Sequence, residues 1–301
     1  PPNQPQYITV CGKGEICMPG MIPEWLAPAS LAEALEMKAS YGDEATIVAG
    51  GTFIGILMSQ KLMAPNALLT LRHIRELTFI EDNEQQLRIG AMTTHCMIER
   101  SPIIREHWPI LAYTFSLVAS PRVRNQATIG GVLADADYAS DPPSMLHALN
   151  ASVVVRSKQG ERIIAVEDLI TGYYETSLKP DELVTEIRLP CKSERAVYRK
   201  FRSRSSEDRP CVAVAAARSQ GQLRIVVGAV AARPQYFPDI CALAHTEELT
   251  HELANEIGQR YAQAIDPITD ARGSASYRRR IIVVEVRRAL EELAAREEVK
   301  T

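Results

Sequence analysis

Residues 44–55 read EATIVAGGTFIG. A short apolar run, typical of a buried β-strand, ends at Gly50-Gly51-Thr52, and an apolar stretch compatible with a helix begins directly after it. A glycine pair permits positive φ and lets a ligand approach the backbone N–H groups closely. Because the first N–H groups of a helix have no intrahelical partner, such a junction can bind an anion such as phosphate. A plain turn is the alternative for this loop taken alone.

A second glycine pair lies in residues 125–141, which read NQATIGGVLADADYASD. Gly130-Gly131 is surrounded by small residues and is followed by Asp135, Asp137 and Asp141, a composition that indicates close packing against a bulky group. Each charge-assisted N–H to phosphate bond contributes ~1.5–3 kcal/mol, so two such loops could together hold a diphosphate. The first loop is neither GxGxxG nor a P-loop, which disfavours a Rossmann dinucleotide site.

The composition narrows the possible functions. The chain has 301 residues, 46% of them hydrophobic, and a net charge of −3, without the basic stripe that nucleic-acid or anionic-membrane binding requires. No apolar run approaches the ~18 residues of a membrane span, and the amino terminus lacks signal-peptide features, so we expect a cytoplasmic protein.

The six cysteines are scattered without a CxxC pair. No metal-ligand cluster is visible, so any electrons must be carried by an organic cofactor.

The order of elements predicts two domains after an N-terminal extension. Residues 1–22 are rich in Pro, Gly and Gln and show no sustained period. Ser30 can cap a helix that begins at Leu31, with Glu33 as its capping-box partner and Gly42 as its stop. A strand, the first glycine loop, an apolar helix and the strand ALLTL follow.

The remaining chain alternates hairpins and helices. A hairpin over 77–91 precedes a helical region from about Thr94 to Ser120 with a break at Ser101-Pro102, and another hairpin turns at Gln159-Gly160. Residues 197–232 read as three strands, and two helices close the chain. We therefore predict the following division: an extension (1–22), a first domain (23–192, with parts 23–80 and 81–192) and a C-terminal domain (193–301).

Five motifs in a fixed order carry a resemblance to a known family. They are VAGGT (48–52), IGAMTTHCMIE (89–99), VRNQATIGGV (123–132), DELVTEIRLP (181–190) and DARGSASYRRRIIVVEVRRAL (270–290). Asp141, followed by the LxALxA pattern, adds a sixth similarity. From about Trp25 to its end, the sequence resembles the FAD-binding medium subunit of the molybdenum hydroxylases, the xanthine dehydrogenase and carbon monoxide dehydrogenase family.

The resemblance implies a fold and a function. The fold class is α+β: a two-part FAD-binding domain of the PCMH (vanillyl-alcohol-oxidase-like) type, then a small three-stranded antiparallel sheet with helices. The function is that of an electron-transfer oxidoreductase subunit. Electrons would pass from a molybdenum cofactor in a large molybdopterin-binding subunit, through [2Fe-2S] clusters in a small iron–sulfur subunit, to FAD here and then to an external acceptor. No His or Cys attachment point is evident, so we expect non-covalent FAD.

The resemblance also assigns cofactor-binding residues, and no catalytic residue, to this chain. In the family the two glycine loops hold the FAD diphosphate. The predicted residues are Ile47, Val48, Ala49, Gly50, Gly51, Thr52, Phe53, Ile54, Val118, Thr128, Ile129, Gly130, Gly131, Val132, Asp135, Asp141, Leu183, Val184 and Lys200.

Several of these assignments have alternatives. Asp141 is expected near the ribityl or adenosine portion, or as a helix N-cap. Lys200 is expected near the flavin ring, where a cation favours the anionic reduced form, or on the surface. Asp135 is expected to meet the cofactor or to be a solvated loop acid. Leu183, expected near the adenine or flavin, and its neighbour Val184 could instead be strand core.

Three positions depart from the family pattern. Val132 replaces a usual Asn, Phe53 replaces a usual acid, and Val118 stands where some relatives have an aromatic residue. These departures keep two other functions open, a stand-alone FAD oxidoreductase of the same fold and a scaffold subunit without flavin.

Overall fold

In the computed structural model, the structure describes residues 22–83, 86–190, 195–205, 208–244 and 249–298. Residues 1–21 of the predicted extension, with Cys11 and Cys17, lie outside these ranges. The first unit is a parallel sheet in the order β1-β3-β2 with two helices. Its elements are β1 (Glu24–Leu26), α1 (Leu31–Tyr41), β2 (Ala45–Val48), α2 (Thr52–Ser59) and β3 (Ala67–Thr70).

Helix α1 begins and ends where the sequence predicts. The Ser30 hydroxyl accepts a hydrogen bond from the Glu33 N–H at 3.2 Å, and the Glu33 carboxylate accepts one from the Ala29 N–H at 2.7 Å. Gly42 ends the helix with φ 54°, and the buried Lys38 ammonium donates to the Gly42 carbonyl at 2.7 Å. These bonds fix the start of β2, and through it the position of the first glycine loop.

The second unit is a five-stranded antiparallel sheet, in the order β4-β5-β10-β6-β7, with helices on one side and a small ladder, β8-β9. Its strands are β4 (Ile80–Asp82), β5 (Leu87–Gly90), β6 (Ser152–Ser157), β7 (Gly160–Ala165), β8 (Ile170–Gly172), β9 (Glu175–Thr176) and β10 (Leu183–Leu189). Its helices are α3 (His95–Arg100), α4 (Pro102–His107), α5 (Pro109–Ser116), α6 (Pro121–Arg124), α7 (Ile129–Ala134), α8 (Asp141–Ala148) and α9 (Val166–Leu169).

Proline divides the helical region more often than we predicted. The expected break at Pro102 is present, and Pro109 and Pro121 begin further helices. Proline lacks an N–H and clashes with the preceding turn, so it is tolerated at the first helical position and ends any helix before it. The chain therefore forms short helices that pack around the buried Trp108, rather than one long rod.

The C-terminal unit has a four-stranded antiparallel sheet, so the predicted count of three strands is wrong. Its elements are β11 (Arg195–Phe201), β12 (Val212–Ser219), β13 (Gln222–Gly228), β14 (Gln235–Tyr236), α10 (Pro238–Ala242), α11 (His251–Ala264) and α12 (Ala275–Glu298). Strand β14 has only two residues and pairs Tyr236 with Val226. Two residues are too few to show the alternation from which strands are recognised.

The C-terminal sheet is buried on both faces. Along β12, Ala213, Ala215 and Ala217 pack into the core of the second unit, whereas Val212 and its neighbours on the opposite face pack against α11 and α12. The small alanine side chains on the first face let α8 approach the sheet closely. Gly228, at the end of β13, lies so near α8 that a Cβ there would be 2.0 Å from the Ser144 hydroxyl. One hydrophobic core therefore crosses the predicted domain boundary at 192/193, which itself lies outside the described residues.

A buried arginine ties the start of α12 to the sheet. Arg278 is fully buried, and its guanidinium donates to the backbone carbonyls of Cys211 and Ala229 and to the Asp270 carboxylate. Asp270 also accepts a hydrogen bond from the Tyr138 hydroxyl of the second unit at 2.9 Å. The arginine thus satisfies two buried carbonyls and holds the acid that reaches across to the second unit.

Replacement of Arg278 by Met should lower the free energy of unfolding by ~3 kcal/mol, because it leaves two buried carbonyls without this donor and removes one of the cations that pair with Asp270. Arg279→Met is the matched control, since that half-exposed side chain pairs at 2.9 Å with Asp266, whose side chain is 98% exposed. The control should change stability by less than about 1 kcal/mol. Chemical denaturation of both variants measures the difference, and equal losses would contradict this role of Arg278.

Candidate functional site

The two glycine loops lie in direct backbone contact. Gly51, at φ 71°, turns the chain from β2 into α2. A Cβ on Gly50 would lie 2.0 Å from the Gln126 carbonyl oxygen, and a Cβ on Gly131 would lie 3.4 Å from the Ala49 Cβ. Glycine at Gly50 is therefore required for this approach of the first unit to the second.

The loops form one end of a cavity of about 300 Å³. Seventeen of the nineteen sequence-predicted residues line it. Val48 does not line it; this residue ends β2, and its carbonyl accepts a hydrogen bond from the Leu71 N–H. Ile129 does not line it either, because its side chain is fully buried in the core of the second unit. The predicted residues thus surround one continuous space, although they come from all three units.

The first loop offers free backbone donors at this cavity. Within the described part of the chain, the N–H groups of residues 50–54 donate to no protein acceptor. They form the N-terminal end of α2, where the helix dipole favours a negative charge. This end of α2 can therefore hold an anion such as a phosphate group.

The second loop, in contrast, has its donors occupied. The N–H of Ile129 donates to Thr93, that of Gly130 to Ala91, and that of Val132 to the Thr128 carbonyl, at 2.9–3.0 Å. The Gly131 N–H donates to the Thr128 hydroxyl at 3.1 Å, which caps α7. The expectation that both loops supply free donors is therefore wrong for these four amides. They donate instead to protein acceptors that hold the second loop in its conformation.

Fifteen other residues of the cavity wall were not among those predicted from the sequence. They are Ile56, Leu71, Ala91, Met92, His95, Ala119, Val123, Ala127, Ala134, Asp137, Ala139, Ser140, Leu178, Glu182 and Arg209. Twelve of them lie within one of the family motifs or within two residues of a predicted residue, so proximity to the motifs was the available signal. Arg209 follows no motif, and no pattern in the sequence indicated it.

His95 holds the second loop in place through contacts with two of its backbone carbonyls. Its backbone N–H donates to the Ala127 carbonyl at 2.9 Å, and its ring Nε2 lies 3.3 Å from the Thr128 carbonyl. Burial lowers the pKa of His95 to about 4, so the ring is neutral at physiological pH. A neutral ring whose Nε2–H donates to Thr128 leaves Nδ1 as an acceptor, and this nitrogen has no partner within the described residues.

Lys200 and Asp141 form a buried ion pair in the cavity wall. The ammonium lies 2.8 Å from the carboxylate and also donates to the Leu117 carbonyl at 2.8 Å. The Tyr198 hydroxyl donates to the other carboxylate oxygen at 2.8 Å. Burial raises the pKa of Asp141, which the Lys200 charge opposes, and burial lowers the pKa of Lys200.

This pair resolves two alternatives. The Lys200 side chain is only 2% exposed, so the alternative of a surface lysine is wrong. Asp141 is the first residue of α8, and Ser140 stands at the N-cap position, so the alternative of Asp141 as N-cap is wrong as well. The sequence predicted both residues in the site without indicating that they pair.

Two further acids lie in the same segment. The Asp137 carboxylate pairs with Arg209 at 3.0 Å and accepts a hydrogen bond from the Ala139 N–H at 3.1 Å. Asp135, at the C-terminal end of α7, has no cationic or hydrogen-bonding side-chain partner in the described part of the chain. Burial, with the nearby Asp137 charge, raises the pKa of Asp135 to about 7, although Arg209 opposes the shift.

An aromatic cluster supports Phe53, the residue that departs from the family pattern. Its ring stacks on Tyr174 with centroids 5.7 Å apart and planes 8° from parallel. Tyr174, at φ 58°, donates its backbone N–H to Ala136, and its ring meets Tyr138 edge-on at 6.3 Å. Arg272 lies over the Tyr138 ring, 5.3 Å from its centroid. Phe53 is therefore a packed wall of the cavity, supported from both the second and the C-terminal units.

The described residues form neither a metal centre nor a membrane span. No three His, Cys, Asp or Glu side chains of the described residues come together as metal ligands do. Likewise, no helix within those residues combines the length and apolar character needed to cross a bilayer.

Known proteins resemble this chain over almost its whole length. Residues 20–192 match the FAD binding domain in molybdopterin dehydrogenase, and residues 196–293 match the CO dehydrogenase flavoprotein C-terminal domain. The nicotine 6-hydroxylase medium subunit of Paenarthrobacter nicotinovorans is 33% identical over 276 residues, or 90% of this chain and 97% of the relative.

Further relatives extend this similarity. The carbon monoxide dehydrogenase medium chain of Afipia carboxidovorans is 30% identical over 286 residues, or 92% of this chain and 99% of the relative. Among solved structures, quinoline 2-oxidoreductase from Pseudomonas putida 86 superposes with a TM-score of 0.87 at 27% identity, covering 92% of this chain and 99% of the other.

Replacement of Gly50 by Ala should destabilise the chain by ~1–3 kcal/mol, because the new methyl group would overlap the Gln126 backbone and force the loops apart. Gly55→Ala, within α2 and with nothing within 4 Å of the new Cβ, is the matched control. The control should be neutral or stabilising by ~0.5–1 kcal/mol. Chemical denaturation measures both, and a Gly50→Ala variant as stable as the parent would disprove the loop contact.

Proposed function

Since this chain belongs to the family of FAD-binding medium subunits of the molybdenum hydroxylases, we propose that its cavity binds FAD and that the flavin passes electrons to an external acceptor. The electrons would come from the iron–sulfur clusters of a small partner subunit, which receive them from the molybdenum cofactor of a large subunit. The chain is an oxidoreductase subunit, as its dehydrogenase and hydroxylase relatives are.

The observation that carries this proposal is the row of free amides in residues 50–54. They face a cavity and stand at the positive end of a helix. A diphosphate is the part of FAD that needs such donors, because its charge is fixed and its oxygens accept several hydrogen bonds. Thr52 also lines the cavity, and its hydroxyl can add one more donor.

The remaining wall fits the rest of the cofactor. Apolar residues such as Leu183, Val184 and Val118 line the space and can pack against flat rings. Lys200 would lie near the flavin, whose own chemistry is to accept electrons singly and deliver them in pairs. A fixed ammonium there stabilises negative charge on the reduced ring. The predicted division at 192/193 would then separate the domain that holds most of the FAD site from a unit that adds Lys200 and Arg209 to the cavity wall. The two family matches support this division.

We expect the FAD to be non-covalent. Purification of the chain with its partner subunits, followed by denaturation and chromatography of the supernatant, should release close to one FAD per chain. A complex whose subunits co-purify with no flavin in this chain would support the scaffold alternative and overturn the proposal. A lone chain whose flavin is reduced directly by a small substrate would support a stand-alone oxidoreductase.

Lys200→Gln should make the flavin harder to reduce, because it removes the cation that stabilises the reduced ring. The expected shift is toward more negative potential by about 30 mV, which equals about 1.4 kcal/mol for a two-electron couple. Lys158→Gln is the control, since Lys158 is half-exposed and pairs with Glu36 at 3.2 Å on the surface. Anaerobic titration against dyes of known potential measures both variants. Equal potentials in the two would show that Lys200 does not act on the flavin.

A further inference from the structure

The cavity wall holds three acids in one short segment, and only two of them have a cation. Asp137 pairs with Arg209 at 3.0 Å, and Asp141 pairs with Lys200 at 2.8 Å. Both cations come from the C-terminal unit. Asp135 lines the same cavity with no such partner among the described residues. The acid without a cation is therefore the one whose charge state the site does not fix.

The other titratable groups of the wall are already engaged. Glu182, beside β10, accepts two hydrogen bonds from Arg162 at 2.7 and 2.8 Å. His95, on α3, is neutral because burial lowers its pKa to about 4, and its Nε2 lies against the Thr128 carbonyl. Lys200, on β11, and Asp141, on α8, neutralise each other. The charges that act on Asp135 are thus the repulsive Asp137 and the attractive Arg209, and the latter is shared with Asp137.

An anion in this cavity adds to the negative charge around Asp135. The FAD diphosphate carries two negative charges, and the donors of residues 50–54 lie in the wall of the same cavity. Inside a desolvated cavity such charges repel more strongly than in water. A neutral carboxylic acid removes this repulsion and gains an O–H that can donate to an oxygen or ring nitrogen of the ligand.

We propose that Asp135 takes up one proton from solvent when the anionic dinucleotide binds in this cavity, and holds it as a neutral hydrogen-bond donor to the dinucleotide. The proton returns to solvent when the dinucleotide leaves. This inference rests on the proposed function, because it requires FAD in the cavity.

The proposal fixes the direction of a pH dependence. The pKa of Asp135 is about 7 in the ligand-free chain, and a bound anion raises this pKa further. Between the two values, binding consumes a proton, so the FAD dissociation constant rises by up to about tenfold per pH unit above about pH 7. At lower pH the acid is already protonated and affinity is flat. FAD itself keeps one charge state here, since its diphosphate ionises far below this range and its flavin N3–H far above it.

The test measures FAD binding to the flavin-depleted complex by fluorescence from about pH 5.5 to about pH 8.5. Asp135→Asn, which imitates the neutral acid, should bind FAD at about pH 8.5 as tightly as the parent does at about pH 6, with no pH dependence. Asp239→Asn, a change at an exposed acid on α10, is the control and should keep the parent's pH dependence. An Asp135→Asn variant with the parent's pH profile would overturn the proposal.

A second measurement needs no variant and so does not depend on folding of a mutant. Calorimetry of FAD binding in two buffers of different ionisation enthalpy, at about pH 7.5, gives the number of protons taken up. Because a group with a pKa of about 7 is about three-quarters deprotonated at that pH, an uptake approaching about 0.75 proton supports the inference. A value of zero contradicts it while leaving FAD binding intact. Failure of the parent to bind FAD at any pH would instead contradict the proposed function.

Discussion

The contact between the Gly50 and Gln126 backbones is the constraint on which the rest of the site depends. No side chain larger than hydrogen fits at Gly50, because a Cβ there would lie 2.0 Å from a carbonyl oxygen. The contact brings the parallel sheet of the first unit against the helices of the second, and so creates the cavity between them. It also aims the N-terminal end of α2 into that cavity rather than into solvent.

The two glycine loops look alike in sequence but do different physical work. The first keeps its amides free, at the start of a helix whose dipole favours an anion. The amides of the second loop donate hydrogen bonds to Thr128, which caps α7, and to the carbonyls of Ala91 and Thr93. His95 also contacts this loop through its backbone N–H. Because the second loop is rigid, its backbone contact with Gly50 holds the first loop in position. The amides of the first loop can therefore remain without protein acceptors and still be held in place for a ligand.

Local patterns in the sequence predicted the helix caps and turns, whereas contacts between residues far apart in the chain could not be predicted from the sequence. The Ser30 cap, the Gly42 stop and the strand-to-helix turn at Gly50-Gly51 are set by residues within a few positions of one another, and these predictions are confirmed. The pairing of Lys200 with Asp141 joins residues 59 positions apart, and no pattern encodes such a partner. Phe53 departs from the family pattern, but its stacking partner Tyr174 depends on a strained turn that only the folded chain shows.

The C-terminal unit completes the electrostatics of the site rather than its shape. Among the described residues, it contributes only Lys200 and Arg209 to the cavity wall, and both are cations paired with acids of the second unit. Without them, Asp137 and Asp141 would be desolvated acids with no counter-charge beside a site for anions. Docking of the C-terminal sheet on α8 is therefore coupled to the charge of the cavity. The C-terminal unit neutralises two of the three acids, through Lys200 on β11 and Arg209 in the segment before β12, and the third is left to respond to the ligand.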